Sequence, residues 1–271
     1  MSLETLSSRG MVVLGCGKMG SAMLAGWLES GVPAQSVWVQ DPAPSDWLRE
    51  TGVHINDGFP PAPAVVLIAV KPQMMGAALP ALAALPKENT VFVSVAAGVS
   101  IAAYEEALGG DATIVRAMPN TPAAVGKGIT ALIGNGNADA PSMDLAEQLL
   151  VSIGQVVRLD TEAQMDAVTG VSGSGPAYVF YMIDCLAAAA RAQGLPEALA
   201  MQLAKATVAG AGVLAERSTD SPEQLRINVT SPGGTTQAGL EALMDAAHGL
   251  EPLMVRTVAA ASDRSRELGR G

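Results

Sequence analysis

Aromatic side chains make up only 3 % of the 271 residues, and the chain holds just two cysteines and two histidines. So few rings cannot furnish the core of an aromatic-rich β-sandwich, and the abundant Ala, Gly, Val, Leu and Met fit close packing of helices on a sheet or on one another. Cys16 and Cys185 are far apart in apolar surroundings, with no CxxC and no Cys/His cluster. That excludes a structural zinc site and a disulfide framework. His54 and His248 sit in no context that suits a catalytic base. A Ser–His–Asp triad, a metal-ligand cluster and a Walker loop are likewise missing. Charge is scarce at 15 % and one-sided, with 16 Lys and Arg against 26 Asp and Glu for a net −10. An acidic surface repels phosphate backbones, so no nucleic-acid partner is expected. The cluster Arg264, Arg266 and Arg270 reads as a solvated last helical turn favoured by the helix dipole. The first ten residues lack a basic start followed by an apolar stretch, and no uninterrupted apolar run reaches membrane-spanning length. The expectation is a soluble, cytoplasmic protein with no membrane partner.

What is present is an apolar chain, 49 % hydrophobic, long enough for one large domain or two modest ones. Runs rich in Val and Ile recur at Met11–Gly15, Ser36–Gln40, Val65–Val70, Val91–Val95, Thr113–Ala117, Ile129–Ile133 and Gly154–Leu159. Helix-length segments separate most of them, which predicts an α/β fold with a mostly parallel sheet covered on both faces. After about residue 160 the texture turns to Ala-, Leu- and Met-rich helical stretches broken by GSGP, GLP, SPEQ and SPGG. We therefore expect a dinucleotide-binding Rossmann-like domain over 1–160 and an all-α domain over 161–271. Ala177–Ala192 is apolar on more than one face, which predicts dimerisation through the helical half.

The sharpest motif is Gly15-Cys16-Gly17-Lys18-Met19-Gly20, a GxGxxG directly after a strand and opening a helix from about Met19 to Ser30. In that setting the first glycine makes a tight turn and the second lets a pyrophosphate approach the backbone. The third allows the helix to pack closely on the strand. Asp41 ends the second strand, where an acid bonds the adenosine ribose hydroxyls and favours NAD(H) over NADP(H). Asp41-Pro42 also suits the cap of the next helix, so the choice between NADP(H) and NAD(H) stays open.

Further loops fall at strand ends. Ala69-Val70-Lys71-Pro72 follows a buried strand, where Lys71 could reach the cofactor or a substrate anion, or simply cap the strand at the surface. Arg116-Ala-Met-Pro119-Asn120-Thr-Pro122 makes a stiff loop suited to walling a nicotinamide pocket. Gly173-Ser-Gly-Pro-Ala-Tyr178 opens a helix with Ser174 as its expected cap and Pro176 in the first turn. Val229-Thr-Ser-Pro-Gly-Gly-Thr-Thr236 opens another, leaving N–H groups free as a carboxylate or phosphate cradle, with hydroxyls from Ser231, Thr235 and Thr236. With no strong acid or base at hand, the cofactor must carry the hard step, and hydride transfer to an already electrophilic imine fits.

From GCGKMG at 15–20 onward, five ordered motifs over nearly the whole chain resemble the pyrroline-5-carboxylate reductases: AVKP at 69–72, SVAAGVS at 94–100, RAMPNTP, GSGPAY and VTSPGGTT. The resemblance implies reduction of 1-pyrroline-5-carboxylate to L-proline with NADP(H) or NAD(H), the last step of proline biosynthesis. It also implies an interleaved homodimer that often builds decamers, with each site drawing on two subunits. On motif position, Gly15, Cys16, Gly17, Lys18, Met19 and Gly20 would hold the pyrophosphate. Asn56 and the turn Ala69, Val70 and Lys71 would meet the ribose or nicotinamide side. Ser231, Gly233, Gly234, Thr235 and Thr236 would bind the substrate carboxylate, with Thr236 near the ring nitrogen as the catalytic hydrogen-bond partner. Asp41 sits oddly beside the family's common use of NADPH.

Two other readings compete with this one. A 3-hydroxyacid dehydrogenase of the 6-phosphogluconate type needs a catalytic Lys with an Asn one turn later. Here the only Lys after residue 127 is Lys205, followed four residues on by Ala209. A non-catalytic dinucleotide-binding regulator would have no need of VTSPGGTT.

Overall fold

The computed structural model describes residues 3–269, so Arg270 of the basic cluster lies outside the described residues. The chain divides into two compact units, one holding the residues up to Ser174 together with those from Ala260 onward, the other Gly175–Ala259. The first unit contains α1 (Leu3–Arg9), β1 (Met11–Leu14), α2 (Lys18–Glu29), β2 (Val37–Gln40), α3 (Asp46–Glu50), β3 (His54–Ile55), β4 (Val65–Ile68) and α4 (Met75–Ala83). It continues with β5 (Val91–Ser94), α5 (Ile101–Leu108), β6 (Thr113–Met118), β7 (Gly128–Gly134), α6 (Ala140–Val151), β8 (Gly154–Arg158) and α7 (Met165–Val168). Residue 160 thus marks where strands cease, whereas the compact unit itself runs on to Ser174.

The eight strands form one sheet in the order β3-β2-β1-β4-β5-β6-β7-β8. Every pair is parallel except β6 with β7. The reason for the exception lies in the connection, since only residues 119–127 separate β6 from β7. A parallel crossover needs a dozen residues or more. Strand residues alternate between two apolar layers. Val13, Val39, Leu67 and Val93 point to the side of α2 and α6, where Met23, Leu24, Trp27, Leu145 and Leu149 are buried. Val12, Leu14, Val66, Ile68 and Phe92 point to the side of α4 and α5, among Leu79, Leu82, Ile101, Tyr104 and Leu108. Burial on both faces explains why the central strands read as unbroken apolar runs.

Trp27, 2 % exposed, donates its ring N–H to the Leu149 carbonyl at 2.8 Å, joining α2 to α6. Trp27→Phe should destabilise the fold by about 1–3 kcal/mol, because the hydrogen bond between α2 and α6 is lost and the smaller ring leaves a void, although the Leu149 carbonyl keeps the Ser152 hydroxyl at 2.7 Å. Denaturant unfolding checks this, and an unchanged midpoint would contradict it. The N-terminal segment, uninterpretable from sequence, is a helix that buries Leu6. The Arg9 side chain at its end donates to the carbonyls of Ala62, Pro63 and Asn89, which precede β4 and β5.

The second unit is helical: α8 (Gly175–Ala192), α9 (Glu197–Arg217), α10 (Pro222–Asn228), α11 (Thr235–Leu243) and the first half of α12 (Leu250–Leu268). Few of its side chains are buried; Ala187, Ala200 and Ala204 are, while Phe180, Tyr181, Leu203, Leu214 and Val255 stand 46–70 % exposed. A groove of about 650 Å³ runs among Tyr178, Tyr181, Met182, Leu186, Leu253 and Met254. Among the described residues α9 alone is long and apolar enough to cross a membrane by length and composition. That qualifies the expectation of no such run, although Gln202 and Lys205 interrupt it. At the far end of α12, Arg264 pairs with Glu267 at 2.8 Å and Arg266 with Asp263 at 2.5 Å.

Candidate active site

The C-terminal ends of β1, β2, β4, β5 and β6 lie along one edge of the parallel sheet, so the loops after them share that edge. β1 is flanked by β2 on one side and β4 on the other, and the strand order reverses there. Such a switch point opens a crevice between two loops and is where ligands bind in open α/β sheets. Here the loops are Gly15–Gly20 after β1 and Ala69–Lys71 after β4. They approach closely: the Ala69 N–H donates to the Leu14 carbonyl at 2.8 Å.

The three glycines of the motif have three different surroundings. Gly15 has φ +87°, and a β-carbon there would fall 2.8 Å from Val70 Cγ1 and 3.0 Å from the Ala69 carbonyl oxygen. At Gly20 a β-carbon would stand 2.5 Å from the Gly15 carbonyl oxygen, so α2 can pack on the loop only with glycine at that position. Gly17 is the opposite case, with nothing of the protein within 4 Å of its missing side chain. It is the N-cap of α2 in an ordinary extended conformation, with no side-chain hydrogen bond closing the helix end. Open space in front of uncapped helix N–H groups is a cradle for a pyrophosphate, so these residues fit a dinucleotide.

The other residues expected at this edge divide into some that face outward and some that brace the loops. Lys18 and Lys71 are exposed, and Met19 packs partly against the core. Cys16 is buried, and burial, with the Asp41 carboxylate beside it, pushes its thiol up to about 11. It therefore stays protonated and unreactive at neutral pH. Asp41 accepts hydrogen bonds from the main-chain N–H of Cys16 at 2.7 Å and of Ala43 at 2.8 Å. It does not cap the next helix, because Ser45 does, accepting from the Leu48 N–H. Asn56, in the left-handed region at φ 57°, accepts from the Asp41 N–H and donates to its carbonyl, both at 3.0 Å. Its amide acts first on the protein's own chain.

Asn120 behaves similarly. Its side chain, 9 % exposed, accepts from the Ile129 N–H at 3.0 Å and donates to the Ser172 carbonyl at 3.2 Å. The turn after Pro119, residues Thr121–Val125, packs against α2. Ser172 belongs to a π-helical turn over Thr169–Gly173 that feeds directly into α8. Ser174 is accordingly not a helix cap. It already has helical dihedrals, and its N–H donates to Thr169 five residues back, at 2.9 Å. A π turn of this kind is hidden from sequence, because a one-residue insertion leaves the helical apolar pattern almost intact; such turns are frequent at functional sites. Sequence reasoning also missed the ion pair of buried Arg116 with half-buried Glu162 at 2.7 Å, where the same Glu162 oxygen accepts the Ile101 N–H at the start of α5. The partners lie 46 residues apart, and no local pattern joins them.

In the helical unit the SPGG turn is built as expected. The Gly234 N–H donates to the Ser231 carbonyl at 3.0 Å, Gly233 takes φ +70°, and Gly234 caps α11 with no side-chain hydrogen bond. The Gln237 side chain takes the Gly233 N–H at 2.7 Å, so what the turn offers an anion is the N–H groups of Thr235 and Thr236 and the exposed hydroxyls of Ser231, Thr235 and Thr236.

Two family models match the chain: pyrroline-5-carboxylate reductase dimerisation over residues 162–268, and NADP oxidoreductase, coenzyme F420-dependent, over 11–98. A pyrroline-5-carboxylate reductase of Pseudomonas aeruginosa is 38 % identical, covering 97 % of this chain and 98 % of its own. The chain belongs to the pyrroline-5-carboxylate reductase family. Solved structures agree. A reductase of this family from Coxiella burnetii superposes with a TM-score of 0.89 at 33 % identity, covering 96 % of this chain and 98 % of that one. One from Plasmodium falciparum, with NADP bound, gives 0.84 at 27 % identity over 97 % and 99 %. The family shares the Rossmann-like sheet and the helical dimerisation region, and both are present here. Neither of the two competing readings, the hydroxyacid dehydrogenase or the regulator, has support from these matches.

Proposed function

We propose that the crevice at the β1–β4 switch point and the SPGGTT turn are the two working parts of a reductase that converts 1-pyrroline-5-carboxylate to L-proline with NAD(P)H. The observation that carries this reading is the coincidence, in one chain, of an open Gly17 cradle with an uncapped, hydroxyl-rich helix start. A dinucleotide held at the crevice would supply a hydride to the carbon of the protonated C=N, whose nitrogen already carries the proton of the product amine. The protein's own residues bind and orient. Main-chain N–H groups at the α2 start, from Gly17 onward, hold the pyrophosphate, those of Gly15 and Cys16 being engaged by the Gln40 carbonyl and the Asp41 carboxylate; Asp41 faces the ribose, and the Ala69–Lys71 and Pro119–Asn120 loops wall the nicotinamide. Gly233 and Gly234 shape the turn, their N–H groups engaged by Gln237 and Ser231, while Thr235 with the Ser231 hydroxyl anchors the substrate carboxylate and Thr236 hydrogen-bonds the ring nitrogen as the imine becomes an amine. Orientation of this kind supplies much of a rate enhancement without a dedicated acid.

The working form is a homodimer in the cytoplasm, its apolar α8, α9 and α12 faces covered by a second copy, with residues of two copies completing each site and decamers as a further assembly. Support comes from the match to the dimerisation model and from the exposed apolar side chains of those helices. The apolar length of α9 is accounted for by the same contact.

Thr236→Ala should lower kcat by roughly tenfold to a hundredfold, the worth of one transition-state hydrogen bond. The KM for pyrroline-5-carboxylate should change less. Steady-state assays check this; a dead enzyme and an unaffected one each contradict the assignment.

A further inference from the structure

We propose that Asp41 makes this chain prefer NADH to NADPH. The inference rests on the dinucleotide reading of the crevice and deepens it, by naming the group that discriminates at the adenosine ribose. In this topology the end of β2 meets that ribose. Asp41 is the first residue past β2, and four hydrogen bonds hold it there. Its carboxylate accepts the N–H groups of Cys16 and Ala43 at 2.7 and 2.8 Å, while its own N–H and carbonyl are both engaged by the Asn56 amide at 3.0 Å. A carboxylate tied at both oxygens cannot swing aside for an incoming anion. It keeps free lone pairs, which suit the donor hydroxyls of an unphosphorylated ribose. A 2′-phosphate brings only acceptors and up to two negative charges.

Within the turn that follows Asp41 nothing offsets that repulsion, and the basic residue brought near it is Lys18 of the glycine-rich loop, which lines a hollow with Ser45 and Trp47. The N–H groups of Cys16 and Ala43, which could have greeted a phosphate, are already filled by the carboxylate. No Lys or Arg occurs between Asp41 and Arg49, and Arg49 lies exposed in the last turn of α3 behind a second carboxylate, Asp46. Pro42, Pro44 and the Ser45 cap stiffen the intervening turn. Discrimination here is therefore built from a repulsive element, not only from a matched contact.

Calorimetric titration of the full-length protein with NADH, NADPH, ADP-ribose and ADP-ribose 2′-phosphate tests this without reliance on turnover. The Kd for NADPH should exceed that for NADH by about tenfold or more, and the two nicotinamide-free ligands should differ by a comparable factor. In Asp41→Asn and Asp41→Ser, which remove the charge, the ratio should fall to within about threefold, mainly through tighter NADPH binding. If either variant fails to fold, the four native titrations decide alone. Equal or tighter binding of NADPH by the native protein overturns the proposal while leaving the dinucleotide site standing. Binding of none of the four ligands overturns the site itself.

Discussion

Gly17→Val is expected to leave the fold intact and to weaken dinucleotide binding by roughly a hundredfold or more, close to 3 kcal/mol. Gly20→Val, three residues on, is expected to damage both. The contrast follows from what a side chain would meet. At Gly17 there is no protein atom within 4 Å, and the backbone is in a conformation that any residue adopts. The cost of valine as a helix N-cap is about 1 kcal/mol at most, equivalent to roughly 2–4 °C in Tm. The added methyls would instead fill the space a pyrophosphate must enter. At Gly20 the β-carbon alone would be 2.5 Å from the Gly15 carbonyl oxygen, a backbone atom that cannot step aside. Valine there forces α2 off the loop, an overpacking cost of about 3 kcal/mol or more. Thermal unfolding and calorimetric titration of the two variants separate the cases. A Gly17→Val protein that binds NAD(P)H normally would mean that the open space is not the pyrophosphate site.

Tyr181→Asp should turn the proposed dimer into monomers and reduce turnover by more than about tenfold, with circular dichroism unchanged. Tyr181 is 70 % exposed within one copy and lines the apolar groove beside Met182 and Leu186. A single chain therefore loses little packing when it changes. In a two-fold interface each substitution appears twice, and each carboxylate buried against Leu253 and Met254 without a partner costs several kcal/mol. Sedimentation equilibrium reads the outcome directly. An unaltered dimer would move the interface to another face of the helical unit.

The sequence made much of this legible because the central strands are buried on both faces, and burial imposes continuous Val/Ile runs that local reading detects. The GxGxxG announced its own context for a similar reason, since each glycine answers a steric demand within six residues of chain. Strand direction was less visible. That β7 runs against β6 follows from a connection of 119–127 too short for a crossover, a loop-length argument that apolar periodicity does not contain. β3 escaped because two residues, His54 and Ile55, carry no pattern at all. At the sheet edge, Gly15–Gly20 and Ala69–Lys71 follow strands as the apolar runs predict, but the hydrogen-bond partners of the residues there are not legible in the sequence. Asn56 and Asn120 spend their amides on Asp41, Ile129 and Ser172, and Arg116 turns to Glu162. These pairings join segments that meet only in the folded chain, and an amide looks the same in sequence whether it faces a cofactor or a carbonyl.

Oxidation of NADH and of NADPH, followed in parallel with pyrroline-5-carboxylate as acceptor and proline identified as product, separates a reductase from a dinucleotide-binding protein. Turnover should depend on both substrate and dinucleotide and be faster at equal concentration with NADH. Tight binding of either dinucleotide with no proline formed would contradict the reductase reading, and would leave a dinucleotide-binding protein whose SPGGTT turn serves some other anion.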